Sequence, residues 1–362
     1  MTGDEMRVVN DFIICDMPSD DELDMDEVEN IVEHTHNTWQ PDRPIKELRE
    51  NTVQGKKAEI VVETVLREHS HYRYKSYDSI RRDGLEKHAP FDGIIYSSEI
   101  DEEVLISSVD MINSDVRACV GDTGMISATT RETLENEGIY TVEIKSSLLQ
   151  DPRDYKSMAH KLKGERTGQD YEILCTYIKG FYDYFVYPHF CRSSNSITNF
   201  YRYTQFVRNS YDYNDSDKRA FLYQLMKDEF DNACLLYTRV FFDVISDEII
   251  IPGYVLKTRF FEEPRIQKMP SMKSRNAIYY MYHMNLGKSF IDIDQDDELI
   301  RYNRLNAYQK LLGCNQERCE RCGCPLKLVE SVRNGKFLYL CENCQTQKWF
   351  TMNQIHTNNM SE

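Results

Sequence analysis

The segment Tyr140–Ser147, YTVEIKSS, carries a carboxylate and an ammonium two residues apart, Glu143 and Lys145. In an extended chain alternate side chains share a face. Thr141, Glu143 and Lys145 therefore stand together, opposite Tyr140, Val142 and Ile144. Such a pair is either a solvated ion pair on an exposed strand or part of a metal-dependent active site.

A second group has a more specific signature. Cys319-Glu-Arg-Cys322 and Cys341-Glu-Asn-Cys344 are separated by eighteen residues, a spacing at which four thiolates close a tetrahedral zinc site. Between them, Asn334-Gly335 sits between two β-prone runs and predicts a two-residue hairpin turn. Two cysteine knuckles flanking a hairpin resemble a zinc ribbon. Four protein ligands leave no open position, so this Zn2+ would be structural, stabilising a module too small to bury much surface. Cys314 and Cys324 are spare thiols nearby.

Composition sets the frame for both groups. The chain has 362 residues, 41% hydrophobic and 12% aromatic, which fits a folded protein rather than a disordered one. No apolar run is long enough to span a bilayer, and MTGDEMRVV has no sign of a secretory signal. With crowded cysteines, this points to an intracellular, reducing compartment, such as cytoplasm or nucleus, and to no membrane partner. Net charge is −16, but unevenly spread: residues 1–30 hold eleven acids and one arginine, whereas residues 301–350 hold nine bases and four acids. A local basic face is thus compatible with the overall acidity, and composition neither excludes nor favours nucleic acid.

Residues 1–44 read as a solvated, partly disordered acidic segment, with docking or autoinhibition as the alternative role. From Ile45 the pattern is helical, with Ala58, Val61, Val62, Val65 and Leu66 forming an apolar stripe, Glu59 at its edge and Glu63 further toward solvent. HYRYKSYDSI and APFDGIIYSS read as strands. Residues 99–139 are an insertion with a helix at TTRETLENEG, ended by Gly138. A long helical region follows Pro152 to about Tyr187, and LLYTRVFFDV and EIIIPGYVLKTRFF read as two later strands. The aromatic stretch 172–224 fits a core better than base stacking, and the acids of IDIDQDDE fit the start of a helix rather than a metal site. The expected domains are 45–295 as one α/β body, 296–313 as a connecting helix and 314–362 as the zinc ribbon.

In order, a helix with Glu59, a strand, a strand with Asp92, a strand with Glu143 and Lys145, and a further helix resemble the PD-(D/E)XK nuclease superfamily. The residues that carry this are GKKAE in the first helix, PFDG at Pro90–Gly93 and EIK at Glu143–Lys145, over residues 50–190. The resemblance implies an α/β fold with a restriction-endonuclease-like αβββαβ core, a mixed central sheet and large helical insertions. It implies a divalent-metal-dependent endonuclease acting on DNA, as in restriction, genome defence or viral nucleases. Catalytic Mg2+ or Mn2+ would be held by Glu59, Asp92, Glu143 and the backbone carbonyl of Ile144, with Lys145 beside the attacking water and the scissile phosphate. About fifty residues separate Asp92 from Glu143, more than is usual in relatives, and Asp110, Asp115 and Asp122 are the other acids in that interval. The expected partners are double-stranded DNA, a second copy of the chain, and a protein met through the acidic segment or the ribbon. An inert nuclease-fold protein that binds nucleic acid or a protein assembly, and an RNA-cleaving enzyme, are the alternatives. The ribbon is equally suited to nucleic acid, through Arg318, Arg321, Lys327, Arg333, Lys336 and Lys348, and to protein.

Overall fold

A computed structural model describes residues 6–38, 42–121, 123–149, 162, 166–180, 182–186, 230–262, 265–270, 276–304 and 307, and in the C-terminal region 319, 321–322, 327–333, 336–341, 343–345 and 347–351. The chain divides into two compact units. The first comprises Met1–Phe185, Cys234–Leu256 and Tyr282–Ile300, and the second Val186–Ala233, Lys257–Met281 and Arg301–Glu362.

The first unit is built on a mixed eight-stranded sheet. Its strands are β1 (Arg7–Val9), β2 (Phe12–Asp16), β3 (Tyr72–Ser76), β4 (Gly93–Ser97), β5 (Ile139–Leu148), β7 (Leu236–Asp243), β8 (Glu248–Ile251) and β9 (Tyr254–Leu256). A separate strand, β6, spans Tyr182–Val186. The order across the sheet is β1-β2-β8-β7-β5-β4-β3, with β9 also on β7. Among the described residues of this sheet, only β5 and β7 run parallel. A parallel pair needs a long crossover, and this one contains helix α6 (Gly168–Lys179), opened by a Thr167–Asp170 capping box.

Helix α2 (Ile45–His69) lies against this sheet because its stripe demands it: Ala58, Val61, Val62, Val65 and Leu66 are all fully buried. Glu59 and Glu63 separate as the helical wheel predicts, Glu59 half-buried and Glu63 exposed. Between β4 and β5 the chain forms α4 (Glu102–Ala118) and α5 (Ala128–Asn136), after the short α3 (Tyr77–Ile80) that follows β3. Gly138, at φ +72°, supplies the left-handed step that turns α5 into β5. The long interval between Asp92 and Glu143 is thus two helices, and β4 and β5 still pair directly, Gly93 opposite Val142.

Four expectations differ, in whole or in part, from what is observed. The acidic N-terminal segment is folded over much of its length. Phe12, Ile13 and Ile14 are fully buried in β2, and α1 (Met25–Thr38) packs Val28 and Val32 against Leu48 of α2. Its charges stand on the outer side of elements whose inner side is apolar. The long helical region expected from Pro152 to Tyr187 is, in its described part, the twelve-residue α6 followed by β6. The run EIIIPGYVLKTRFF makes two strands and a short helix, because Pro252-Gly253 turns the chain. Gly253 has φ +111°, and a Cβ there would meet the Lys288 backbone. Of the connecting helix at 296–313, residues 296–304 and 307 are described: Asp297–Ile300 make a single turn, preceded by a 3-10 helix at Phe290–Gln295, residues 301–303 are not helical, and Arg304 and Ala307 are helical again. Most of the aromatic stretch 172–224 lies outside the described residues. No helix among the described residues is long and apolar enough to cross a membrane.

In the second unit, β10 (Arg265–Pro270) pairs antiparallel with β11 (Asn276–His283). Further on, β12 (Lys327–Arg333), β13 (Lys336–Leu340) and β14 (Gln347–Thr351) form a three-stranded antiparallel sheet. Arg333 pairs with Lys336, and the turn expected at Asn334-Gly335 lies outside the described residues.

Candidate active site and metal centre

β5 is buried on both faces over its first half, where Ile139, Val142 and Ile144 are apolar and Thr141 is covered as well. Glu143 and Lys145 follow on the Thr141 face, and they are half-buried rather than solvated. The Lys145 ammonium contacts the Glu143 carboxylate directly. Neighbouring β7 carries Tyr237 and Arg239 opposite Glu143 and Lys145.

Asp92 reaches the same place from the other side. It is the residue immediately before β4, and its backbone is pinned three ways. Its N–H donates to the Val142 carbonyl at 3.1 Å, and its carbonyl accepts from Tyr77 N–H at 2.8 Å and from the Tyr74 hydroxyl at 3.1 Å. Its carboxylate then accepts from the Ile144 N–H at 2.6 Å. Asp92 therefore continues the β5 ladder just ahead of the first residue of β4. N–H and C=O of one strand residue point to the same side, so the Ile144 carbonyl faces the Asp92 side. Gly93 permits this arrangement, since a Cβ there would stand 2.6 Å from the Tyr74 Cζ and hydroxyl.

Of the other acids between Asp92 and Glu143, Asp110 is on α4 and exposed, bound to Arg82 at 2.6 Å. Asp115, also on α4, accepts from the Ser127 N–H at 2.7 Å. Asp122 lies outside the described residues.

Glu59 approaches from α2. Lys56, one turn earlier, is 3.5 Å from it and also pairs with Asp78 at 2.7 Å and Glu27 at 3.0 Å. Burial pushes the Glu59 carboxyl up to about 8; Lys56 opposes this, and the charges of Asp92 and Asp78 add to it. Burial and the Glu143 charge push Asp92 up to about 7, against Lys145 and the Ile144 N–H. Lys145 moves the other way. Burial disfavours its charge, but Glu143 and Asp92 outweigh that and hold the ammonium above its ordinary range. Three acids crowded into partly dry space, two of them driven toward the protonated form, are a donor set short of positive charge. All the donors are hard oxygens, which suits Mg2+ or Mn2+.

Two neighbours of the site have weak sequence signals. Lys56 is legible only as the i−3 partner of Glu59 in GKKAE. Cys234, buried, places its Sγ 3.9 Å from the Glu143 carboxylate. It arrives there through the parallel register that sets Leu236 opposite Val142, and nothing local announces it.

The cysteines form a separate centre in the second unit. The Sγ atoms of Cys319, Cys322, Cys341 and Cys344 all lie within 4.8 Å of one another. Cys319 to Cys344 is 3.4 Å, Cys322 to Cys341 is 3.3 Å and Cys322 to Cys344 is 3.7 Å. Tetrahedral zinc with bonds of about 2.3 Å requires sulfurs about 3.8 Å apart, so the four thiols fit Zn2+ with small adjustments. Cys314 and Cys324 lie outside the described residues, as do the side chains of Trp349 and Phe350. Comparison with protein-family models, with curated proteins and with solved structures finds no match for the chain.

Proposed function

We propose that the protein is a divalent-metal-dependent endonuclease that hydrolyses DNA phosphodiester bonds on a restriction-endonuclease-like core. The observation that carries this reading is the convergence of Asp92, Glu143 and Lys145 at the start of β4 beside β5, with Glu59 on α2 close enough for the Asp92 charge to act on it. With α3, α4, α5 and β6 set aside as insertions, the order α2-β3-β4-β5-α6-β7, with β7 parallel to β5, supports the same core.

Asp92 and Glu143 are the principal cation ligands, Glu59 and the Ile144 carbonyl the additional ones. A divalent cation held there supplies a water of lowered pKa and stabilises charge on the phosphate and the leaving oxygen. Lys145 remains charged at neutral pH. Its ammonium orients the attacking water and offsets charge that builds on the phosphate. Glu59 and Asp92 hold protons near neutrality, so cation binding releases protons and tightens as pH rises. The cysteine centre binds Zn2+ as a structural element and takes no part in hydrolysis.

The test is incubation of the purified protein with duplex DNA, single-stranded DNA and RNA, in Mg2+, Mn2+ or EDTA. DNA cleavage that requires the cation and is lost with Glu143→Gln supports the reading. Metal-dependent cleavage of RNA alone replaces the substrate. No cleavage with any cation refutes the enzyme.

A further inference from the structure

Three of the basic side chains of helix α2 pair with the acidic N-terminal segment. Lys57 pairs with Asp20 at 2.7 Å, Lys56 with Glu27 at 3.0 Å, and Arg49 Nε donates to Glu29 at 2.6 Å. Arg49 and Lys56 are one heptad apart, hence on one face of the helix. Glu59 is the next acid along, one turn past Lys56. The lysines are the covered partners, their side chains 12% exposed, whereas Asp20 is 71% exposed and Glu27 40%.

This segment is also more acidic than its contacts require. Asp21 and Asp26 make no ion pair among the described residues. Beside it lies a cleft of about 420 Å³ whose walls include Glu22, Asp24, Glu27, Lys56, Glu59 and Tyr74. With the segment seated, the approach to Glu59 from this side is lined by carboxylates and repels phosphate. With it lifted, Lys56 and Lys75 are the basic side chains in those walls, and Lys57 and Arg49 lose their carboxylate partners elsewhere on the helix.

We propose that Asp20–Glu29 is an intramolecular stand-in for a nucleic-acid backbone, seated on a phosphate-binding face of α2 and displaced when DNA binds. This rests on the nuclease reading for the identity of the polyanion. The hold suits displacement: ion pairs whose carboxylates stay in water contribute about 0–1 kcal/mol each, and the apolar seam beneath them is small, Val28 and Val32 against Leu48 and Val53.

The experiment measures binding of a short fluorescein-labelled DNA duplex to the full chain in EDTA, so that no cleavage occurs, across about 50–200 mM salt. Asp20→Asn with Glu27→Gln frees Lys57 and removes the segment's contact with Lys56, which keeps Asp78 and Glu59. Asp21→Asn with Asp26→Asn removes the same charge and releases neither. The releasing pair should bind about tenfold tighter or more at low salt, with the slope of log affinity against log salt steeper by about one to two. The matched pair should gain much less, at an unchanged slope. Adding Arg49→Gln and Lys57→Gln to the releasing pair should abolish the gain. Equal gains in both pairs, or no gain or no binding by the releasing pair, overturns the inference. Cleavage is scored separately on the unaltered chain with Mg2+, so loss of the nuclease reading and loss of this one are distinct results.

Discussion

Glu59→Gln should make the metal-free protein more stable at alkaline pH while destroying activity. The Glu59 carboxyl, ordinarily at 4.5, is held near 8 by burial and by its acidic neighbours. The folded state therefore binds a proton more tightly than the unfolded state. Below pH 4.5 this difference costs nothing. As pH rises from 4.5 to about 8 the folded protein loses stability, and above that the loss is constant. At about 1.4 kcal/mol for each pH unit the ceiling is roughly 5 kcal/mol. The side chain is 17% exposed, and water at that edge reduces the effect to the order of 2 kcal/mol. Glutamine keeps the shape without the charge, and Lys56 retains Asp78 and Glu27 as partners. In EDTA at pH 9 the variant should melt about 4–8 °C above the unaltered protein, and near pH 4 the two should melt together. Adding Mg2+ should raise the unaltered protein toward the variant. A variant less stable at pH 9 would show that the Lys56–Glu59 pair is a structural bridge, and the reasoning would fail.

Lys145→Ala should slow cleavage by about 10²–10⁴-fold while leaving the fold and DNA binding intact, read by single-turnover kinetics beside circular dichroism. Gly93→Ala should force the Tyr74 ring from its place on the Asp92 carbonyl, weakening Mn2+ binding in calorimetry, whereas Gly55→Ala, which meets open space, should not. Removing one zinc ligand, as in Cys341→Ser, should lower zinc content by elemental analysis and expose the C-terminal module to proteolysis, with magnesium-dependent cutting of short substrates retained. Zinc-free protein purified without chelator would end the zinc assignment.

The elements that bear the candidate site were legible where one local pattern dominated. The apolar stripe of α2 placed Glu59 at its edge, and strict alternation in β5 put Glu143 and Lys145 on one face. The cysteine spacing was legible for the same reason, since four thiols close together can answer to a single ion. Other features depend on contacts between distant residues. Cys234 meets Glu143 only through the β5–β7 register. The N-terminal segment misled because its charge was counted and its phase was not. Phe12–Cys15 is a continuous apolar run suited to a strand covered on both faces, and Val28 and Val32 are one helical turn apart. A net charge of −10 over residues 1–30 describes the outside of such elements and says nothing of the inside.

The sheet order has a consequence for how the chain is made. Ile14 of β2 pairs with Ile250 of β8, more than two hundred residues later. At about 5–20 residues per second, a nascent chain displays Phe-Ile-Ile-Cys for roughly 10–50 s before its partner strand leaves the ribosome. Closing that loop is also entropically slow. The edge formed by β1 and β2 is therefore among the last parts of the first unit to assemble, and until then its most apolar strand is open to other nascent chains. Yield in a recombinant host should depend on elongation rate and on chaperones that shield extended apolar segments, more than on the equilibrium stability of the finished sheet.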